Sequence, residues 1–557
     1  MALPSVKPAP SPDEGDEGPR AAAVTVRGPV RAAAPLAWAA ALVVLSRIAP
    51  VVRAAPVLGV LRGPLALVLL SAALVLTGAT IAAAAVRWRP RLGSLRGPTL
   101  LLVAWAFLGA VGLAYTMRLR VSGDEPHYLL MAQSLWREGD LDLRDNAARE
   151  DWREYTPGPL VPHYGAPRAD GRPYPAHSPG LPLVLAPLYA LGGRALCVIA
   201  MSLAAAALAR EAWTAARGLT GDDEAALVAF SLALVPPVAF YAFHIYTEVP
   251  SALALAVALR LLLGPPGVAA AVAAALLVSA LPWLHLKMAP AAAALGLIGL
   301  VRLRGRPRAA FAATVALMAA GFLLHYRAVF GVPSPLAIYG GVPRDESGSP
   351  VRALAGLVLD RSFGLLPCAP VFLLALAGLG ALARARAWAA LLVGAAVLAP
   401  VLGWRMWWGG QCPPARFLVP LVPILSLAAA ARVARSRTGL ARWRWALIAL
   451  GVAATVGMTW RPEALLLLNR ADRPTRLWAA LSGERPVGIY LPSIVSATPD
   501  EARVTLVWLV ALAAVLTLDV LAHRRERVDR LFRGLGLPLV LLLAVGLAVD
   551  GWARRSL

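Results

Sequence analysis

Charged side chains are scarce in this 557-residue sequence, at 15% of residues against 59% hydrophobic. Cysteine is scarcer, with only three, which excludes a small disulfide-stapled scaffold. There is no Walker loop, no glycine-rich dinucleotide fingerprint and no sizeable soluble domain, which disfavours a cytoplasmic nucleotide-sugar transferase or an ATP-driven pump. A basic domain with base-stacking aromatics is also missing, so the net charge of +23 does not signal nucleic acid. Most apolar runs lack the period-2 alternation of a membrane barrel, which leaves helices as the spanning element.

What is present is a series of Ala/Leu/Val runs, with a mean hydropathy of +0.67. A bilayer core of about 30 Å asks for about 20 apolar residues per helix. Such runs fall near 35–52, 64–86, 98–117, 180–208, 223–242, 249–263, 267–283, 288–301, 309–330, 366–383, 388–404, 416–432, 444–460, 504–522 and 534–552. They predict an all-α, polytopic transmembrane protein with about 13–15 membrane helices. Arginine clusters, among them Arg87/Arg89/Arg91/Arg96, Arg302/Arg304/Arg306/Arg308 and Arg432/Arg435/Arg437/Arg442/Arg444, recur between alternate spans. Placed on the cytoplasmic side, they are accommodated without exception and carry loop 118–178 to the outer face.

The chain divides into a Pro/Gly/Ala-rich tail at 1–33, expected to be disordered and cytoplasmic, and two N-terminal spans in 34–97. A core at 98–435 follows, then C-terminal spans at 436–557 with an outer loop at 461–503. Loop 118–178 is the longest polar passage, and its eight Arg are offset by ten Asp/Glu, which suits a folded element. Directly behind the third span it presents Asp124 and Glu125. Ser122 or Asp124 can cap a helix whose first turn takes Pro126 and Glu125. Tyr128, Leu129, Ala132, Leu135 and Trp136 then give that helix one apolar face, opposite Gln133, Arg137 and Glu138, as in a helix lying along the membrane interface.

The same alternation gathers His244–Glu248, His285/Lys287, loop 331–365, Arg405–Arg416 and loop 461–503 on the outer face. Each notable residue has a bland reading. Asp124 and Glu125 serve equally as a helix cap and a dipole-stabilising acid, and Glu248 as an interfacial acid. Lys287 and Arg416 could snorkel to head groups, although Arg suits bidentate phosphate recognition. Trp404, Trp407 and Trp408 suit an aromatic belt better than a sugar platform. His127, His163 and His177 share one loop but match no zinc spacing, and Asp140-Leu141-Asp142 is a weak Asp-x-Asp pattern, so no metal is assigned and a divalent ion stays an alternative. Cys368 and Cys412 read as unrelated buried thiols rather than a disulfide.

Taken in order, these pieces resemble the GT-C superfamily of membrane glycosyltransferases, which includes protein O-mannosyltransferases and the aminoarabinose transferases that modify lipid A. The resemblance rests on Asp124-Glu125 after a membrane helix and on Tyr174-Pro175-Ala176-His177-Ser178-Pro179-Gly180 opening the next one. It also rests on Asp360-Arg361-Ser362-Phe363-Gly364 and on Trp407-Trp408-Gly409-Gly410…Arg416-Phe417-Leu418-Val419-Pro420. It covers roughly 98–435. In this chain His177 stands where relatives often carry a charged residue, and the C-terminal third matches nothing recognisable.

The resemblance implies inverting transfer of a sugar from a polyprenyl-phosphate donor to an acceptor hydroxyl of a glycan, lipid or protein. The reaction would take place on the periplasmic or exterior face of a bacterial inner membrane, with no cofactor. Asp124 is the expected general base, with Glu125 either a second catalytic carboxylate or an electrostatic neighbour that raises its pKa. Lys287, Arg416 and His177 are expected at the phosphate, and His127, Tyr128, His163, Tyr164, Tyr246, Glu248 and Trp407 complete the candidate substrate-binding set. A transporter or flippase of a lipid-linked saccharide is the alternative. Against it stand the one-sided clustering of ionisable groups and the lack of a visible repeat.

Overall fold

The computed structural model describes residues 34–85, 96–121, 123–156, 158–167, 171, 174–339, 348–460, 469–471, 475–495, 498–532 and 536–553. The expectation for the tail at 1–33 and the capping role of Ser122 lie outside these residues. The helices that organise the chain are α1 (Ala34–Leu45), α2 (Leu65–Ala85), α3 (Gly97–Arg118), α4 (Glu125–Arg137), α5 (Gly180–Thr220), α6 (Asp223–Leu232), α7 (Glu248–Leu263) and α8 (Val268–Leu284). They continue with α9 (Ala289–Arg302), α10 (Gly305–Phe330), α11 (Pro350–Leu359), α12 (Leu373–Arg384), α13 (Trp388–Leu402), α14 (Val422–Arg435), α15 (Arg444–Trp460), α16 (Pro499–Ala522) and α17 (Gly536–Ala553). Among the described residues there are only isolated β-bridges and no strand.

The protein is an integral membrane protein. Five segments, Gly97–Arg118, Gly180–Thr220, Gly305–Ile338, Arg416–Arg435 and Pro499–Ala522, are long and apolar enough to cross a bilayer, and the bent pair Pro56–Arg62 with Leu65–Leu74 adds a sixth. Other predicted spans form shorter apolar helices, among them Val268–Leu284 and Trp388–Leu402. The expected span at 223–242 stops at Leu232, and a short helix, Val238–Tyr241, follows Pro236-Pro237. Proline removes a helical donor and clashes with the preceding turn, which accounts for that break. Within α5 the chain kinks at Gly192-Gly193, where Gly193 has φ +57°.

Small residues let the helices approach closely. Gly112 of α3 lies against α5, where a Cβ would come within 2.9 Å of Val198. Gly378 of α12 packs on α14, and a Cβ there would run into the Ala428 carbonyl.

Each of α5, α7 and α14 joins two polar ends. At one end Arg432 pairs with Asp519 at 2.7 Å, Arg437 with Asp222 at 2.8 Å and Arg260 with Glu211 at 2.5 Å. At the other lie Asp124, Glu248, Lys287 and Arg416.

Helix α4 departs from the sequence reading. Residues Glu125 to Ser134 are all buried, including Gln133 on the supposed polar face, while Trp136 is 57% exposed. The helix packs on α5 and is covered by its own loop, where Gln133 donates to the Asp151 carbonyl. Gln133 is thus covered by the following polar segment, while Arg137 and Glu138 at the end of the helix stay exposed.

Candidate functional site

The site begins at the turn into α4. Gly123 has φ +57°, and a Cβ there would collide with the Tyr246 hydroxyl and come within 3.0 Å of the Gln411 carbonyl, so glycine is required on both counts. The backbone N–H of Asp124 donates to Tyr246 Oη at 3.1 Å. Asp124 occupies the cap position of α4, yet its side chain makes no capping bond. Its Oδ2 instead accepts from Arg416 Nη2 at 2.5 Å, which separates the ion-pair reading from the capping one.

Arg416 is delivered by a shaped loop. Tyr241 Oη donates to the Pro413 carbonyl at 2.7 Å, and Ala415, at φ +55°, donates its N–H to the Phe363 carbonyl at 2.9 Å. The turn at Phe363 is itself held by Asp360, whose Oδ1 accepts from Ser362 N and Phe363 N and whose Oδ2 accepts from Ile494 N. The Arg416 guanidinium, buried at 6% exposure, uses every face: Nη2 on Asp124, Nε on Glu248 Oε1 at 2.8 Å, and Nη1 on the Gly409 carbonyl at 3.1 Å. The Tyr246 ring lies 4.6 Å away.

Glu248, fully buried at the start of α7, shares Oε1 between Arg416 and Lys287 Nζ, the latter at 2.7 Å. Its Oε2 has no hydrogen-bond partner among the described residues. Lys287 arrives on the turn Leu286–Met288, where its N–H donates to His285 Nδ1 and its ammonium sits 4.0 Å over the Phe417 ring. Burial pulls its pKa down to about 8, although Glu248 pulls the other way. For Asp124, burial favours the neutral acid, but Arg416 outweighs it and holds the carboxyl well below the usual range.

Next to Asp124 three imidazoles are brought together. Residues 163–165 and 174–176 form a short two-way ladder, with Gly165 N bonded to the Tyr174 carbonyl and Ala176 N to the His163 carbonyl. His163 Nδ1 thereby lies 3.2 Å from His177 Nε2, and its ring stacks on His127 at 3.7 Å. Burial lowers the pKa of His127 to about 3 and that of His177 as well, so both are neutral at pH 7. His177 is therefore not the phosphate cation expected from the sequence. Asp124, His163 and His177 each offer a ligand atom within 4.8 Å of the others, the one such group among the described residues.

The remaining candidates separate. Glu125 is buried, with Oε2 accepting from Tyr115 Oη at 2.7 Å and Oε1 from Ile245 N at 3.2 Å. It faces a different surrounding from Asp124 and ties α4 to the chain before Glu248. Tyr128 is buried beside His177, 4.9 Å between rings, with its hydroxyl toward Thr247. Tyr164 pins the ladder through its bridge to Pro175 and packs with Leu130, Met131 and Leu143.

Trp407 requires a correction: at 3% exposure it is buried against Gly356, so it cannot be a sugar platform. Asp140 and Asp142 lie beyond the far end of α4, where Asp140 accepts from Ser134 and Asp142 pairs with Arg144, so they are turn residues. The three cysteines are free and buried.

Sequence reasoning missed Phe417, the Gly409 carbonyl and the Asp360 brace. It also passed over a signal: Lys287 is one of only two lysines, with Lys7, among 54 basic residues.

No protein-family model and no curated protein matches this sequence. Among solved structures the chain is similar to ArnT from Cupriavidus metallidurans bound to undecaprenyl phosphate, at 17% identity over 81% of this chain and 78% of that one, TM-score 0.44. It is also similar to the oligosaccharyltransferase of Archaeoglobus fulgidus in its apo form, at 13% identity over 70% of this chain and 57% of that one, TM-score 0.38. Both are GT-C superfamily members.

Proposed function

We propose that this protein transfers a sugar from a polyprenyl-phosphate donor to an acceptor hydroxyl at the membrane face where the Asp124 loop lies, the non-cytoplasmic one. The observation that carries this is Arg416, one guanidinium bridging Asp124 and Glu248, with Lys287 on the same Glu248 oxygen. Two desolvated cations stand beside an ionised carboxylate. The first pair suits a leaving phosphate, and the second group suits an attacking alcohol.

In the reaction the acceptor oxygen attacks the anomeric carbon from the face opposite the donor oxygen, so configuration inverts. The bond from that carbon to the phosphate oxygen breaks, and its electron pair leaves with the lipid phosphate. Arg416 and Lys287 stabilise the charge gathering there. The hydroxyl proton passes to Asp124. A carboxylate held this low is a weak base, so it takes the proton late, after the C–O bond has begun to form. Glu248 neutralises the cations until the phosphate arrives, while Glu125 and Tyr246 position Asp124. The bilayer supplies the donor.

The test is sugar release from a synthetic polyprenyl-phosphate sugar by the purified protein and by Asp124→Asn at matched folding. Loss of turnover with donor binding retained supports the assignment. Unchanged turnover removes Asp124 as the base, and a wild type that binds donor without ever cleaving it turns the reading toward transport.

A further inference from the structure

At the end of the helices where Arg432 meets Asp519, opposite the candidate site, positive charge is left unbalanced. Helices α12, α14 and α16 finish there at Arg384, Arg435 and Ala522, and α12 packs on both of the others. The carboxylates of this end are already engaged: Asp519 by Arg432, Asp529 by Arg442, and Asp222 and Glu224 by Arg437. Arg384, Arg435 and Arg524 are exposed and form no ion pair among the described residues.

These cations are nevertheless gathered. Arg435 Nε donates to His523 Nε2 at 3.4 Å, and Arg384 and Arg524 both lie within electrostatic reach of Arg435. Partial burial lowers the pKa of His523, and the repulsion of Arg435, Arg432 and Arg384 lowers it further. The imidazole is therefore neutral at pH 7, and with Nε2 accepting it keeps its proton on Nδ1 as one more donor. A cation at a helix C-terminus is favourable by itself, but that effect fades within the last turn and gives no reason for three guanidiniums from three segments to share one place. An anion between them removes their mutual repulsion.

The surroundings say which kind of anion. The Arg384 guanidinium lies back along its own helix, where a Cβ on Gly380 would come 3.5 Å from Nη1, so the charge sits on the membrane side of the helix end. Leu379 precedes it on α12 and Val520 precedes His523 on α16, and both are exposed. Helix α16 buries little of its apolar length, which leaves lipid free to reach it. A soluble anion would use only the cations, whereas a phospholipid also covers the apolar surface beside them. Uncompensated positive charge selects a head group with no ammonium of its own.

We infer that Arg384, Arg435 and Arg524, with His523 Nδ1–H, hold the phosphate of one anionic phospholipid on the membrane face opposite the candidate site, its acyl chains lying against Leu379 and Val520. One phosphate shared by three segments ties the end of α16 to α12 and α14. Binding of this lipid needs no assumption about the reaction.

The experiment uses the full chain in micelles of a neutral detergent, to which phosphatidylglycerol, phosphatidylcholine or inorganic phosphate is added. Bound lipid is counted by native mass spectrometry, and the unfolding temperature is followed in parallel. The expected outcome is one phosphatidylglycerol per chain at concentrations where phosphatidylcholine is not retained, with a rise in unfolding temperature that inorganic phosphate does not reproduce. Arg384→Gln and Arg524→Gln should each weaken phosphatidylglycerol binding by roughly tenfold or more, the worth of one hydrogen bond to a charged group. Both side chains are exposed and outside any ion pair among the described residues, so the lipid-free variants should unfold at the temperature of the wild type. Arg306→Gln, in another exposed arginine cluster, should bind the lipid as the wild type does.

Equal retention of the two lipids, or an equal loss in Arg306→Gln, overturns the inference and leaves a general attraction of arginines to the membrane surface. A full temperature rise with inorganic phosphate alone also overturns it, in favour of a soluble anion.

Discussion

Lys287 gives the site a pH dependence whose sign differs for binding and for folding. Its pKa lies at about 8, below the 10.5 of a free lysine, because burial disfavours the ammonium. A polyprenyl phosphate is already a dianion above about pH 7.5. Its contact with the ammonium, a hydrogen bond to a charged group, is worth about 1.5–3 kcal/mol. Raising the pH through 8 removes that proton, and linkage then lowers phosphate affinity by about tenfold between pH 7.5 and 9.5.

Stability moves the other way. Between pH 8 and 10.5 the unfolded chain binds more protons at this lysine than the folded one does, so this group makes the fold more stable as pH rises, by up to about 3 kcal/mol. A fall in affinity over that range is therefore not unfolding at Lys287. The assay is calorimetric binding of a short-chain polyprenyl phosphate to the protein in nanodiscs across this range. Lys287→Met should bind weakly and without this slope. An equal slope in Lys287→Met, or a flat wild-type profile, would refute the reasoning.

Glu125→Gln should lower the unfolding temperature, by a loss of about 1–3 kcal/mol as the contacts with Tyr115 and Ile245 weaken, yet leave turnover per folded molecule far above that of Asp124→Asn. Gly378→Ala places a methyl against the Ala428 carbonyl and should cost about 3 kcal/mol or more, read as loss of monodisperse protein on heating. Asp519→Asn strips the buried Arg432 of its counter-charge, with an expected cost of about 3–5 kcal/mol in thermal unfolding and no direct effect on donor binding at the opposite end.

That Asp124, Glu248, Lys287 and Arg416 share one end was legible because positive-inside alternation groups loops by side without knowing how helices pack. Their pairing was not. Nothing in the spacing of Glu248, Lys287 and Arg416 says that one carboxylate oxygen serves two cations. Helix α4 misled because an amphipathic pattern predicts a surface only where nothing covers its polar side, and here residues after Gly139 fold back over Gln133. Trp407 misled for a related reason. Tryptophan at a membrane boundary suits water, lipid or core alike, and what fixes it inside is the absence of a side chain at Gly356, far away in sequence. The span near 223–242 was cut wrongly because hydropathy does not register that Pro236-Pro237 ends a helix.

Arg416 explains why the site carries more acid than a phosphate pocket would seem to want. An arginine and a lysine taken out of water together repel, and each loses several kcal/mol of hydration. Glu248 and Asp124 make that burial tolerable, and they do so asymmetrically. Glu248 is fully enclosed and holds both cations through one oxygen, whereas Asp124 remains 19% exposed and holds only one arm of Arg416. The phosphate of an incoming donor therefore meets two pre-placed cations whose enclosed counter-ion stays behind and which take up the second charge as the bond breaks, and the carboxylate best able to move toward an acceptor is the one at the rim. The same asymmetry accounts for the different surroundings of Asp124 and Glu125: the second acid, locked by Tyr115 and Ile245, keeps the first at the edge of the pocket instead of joining it.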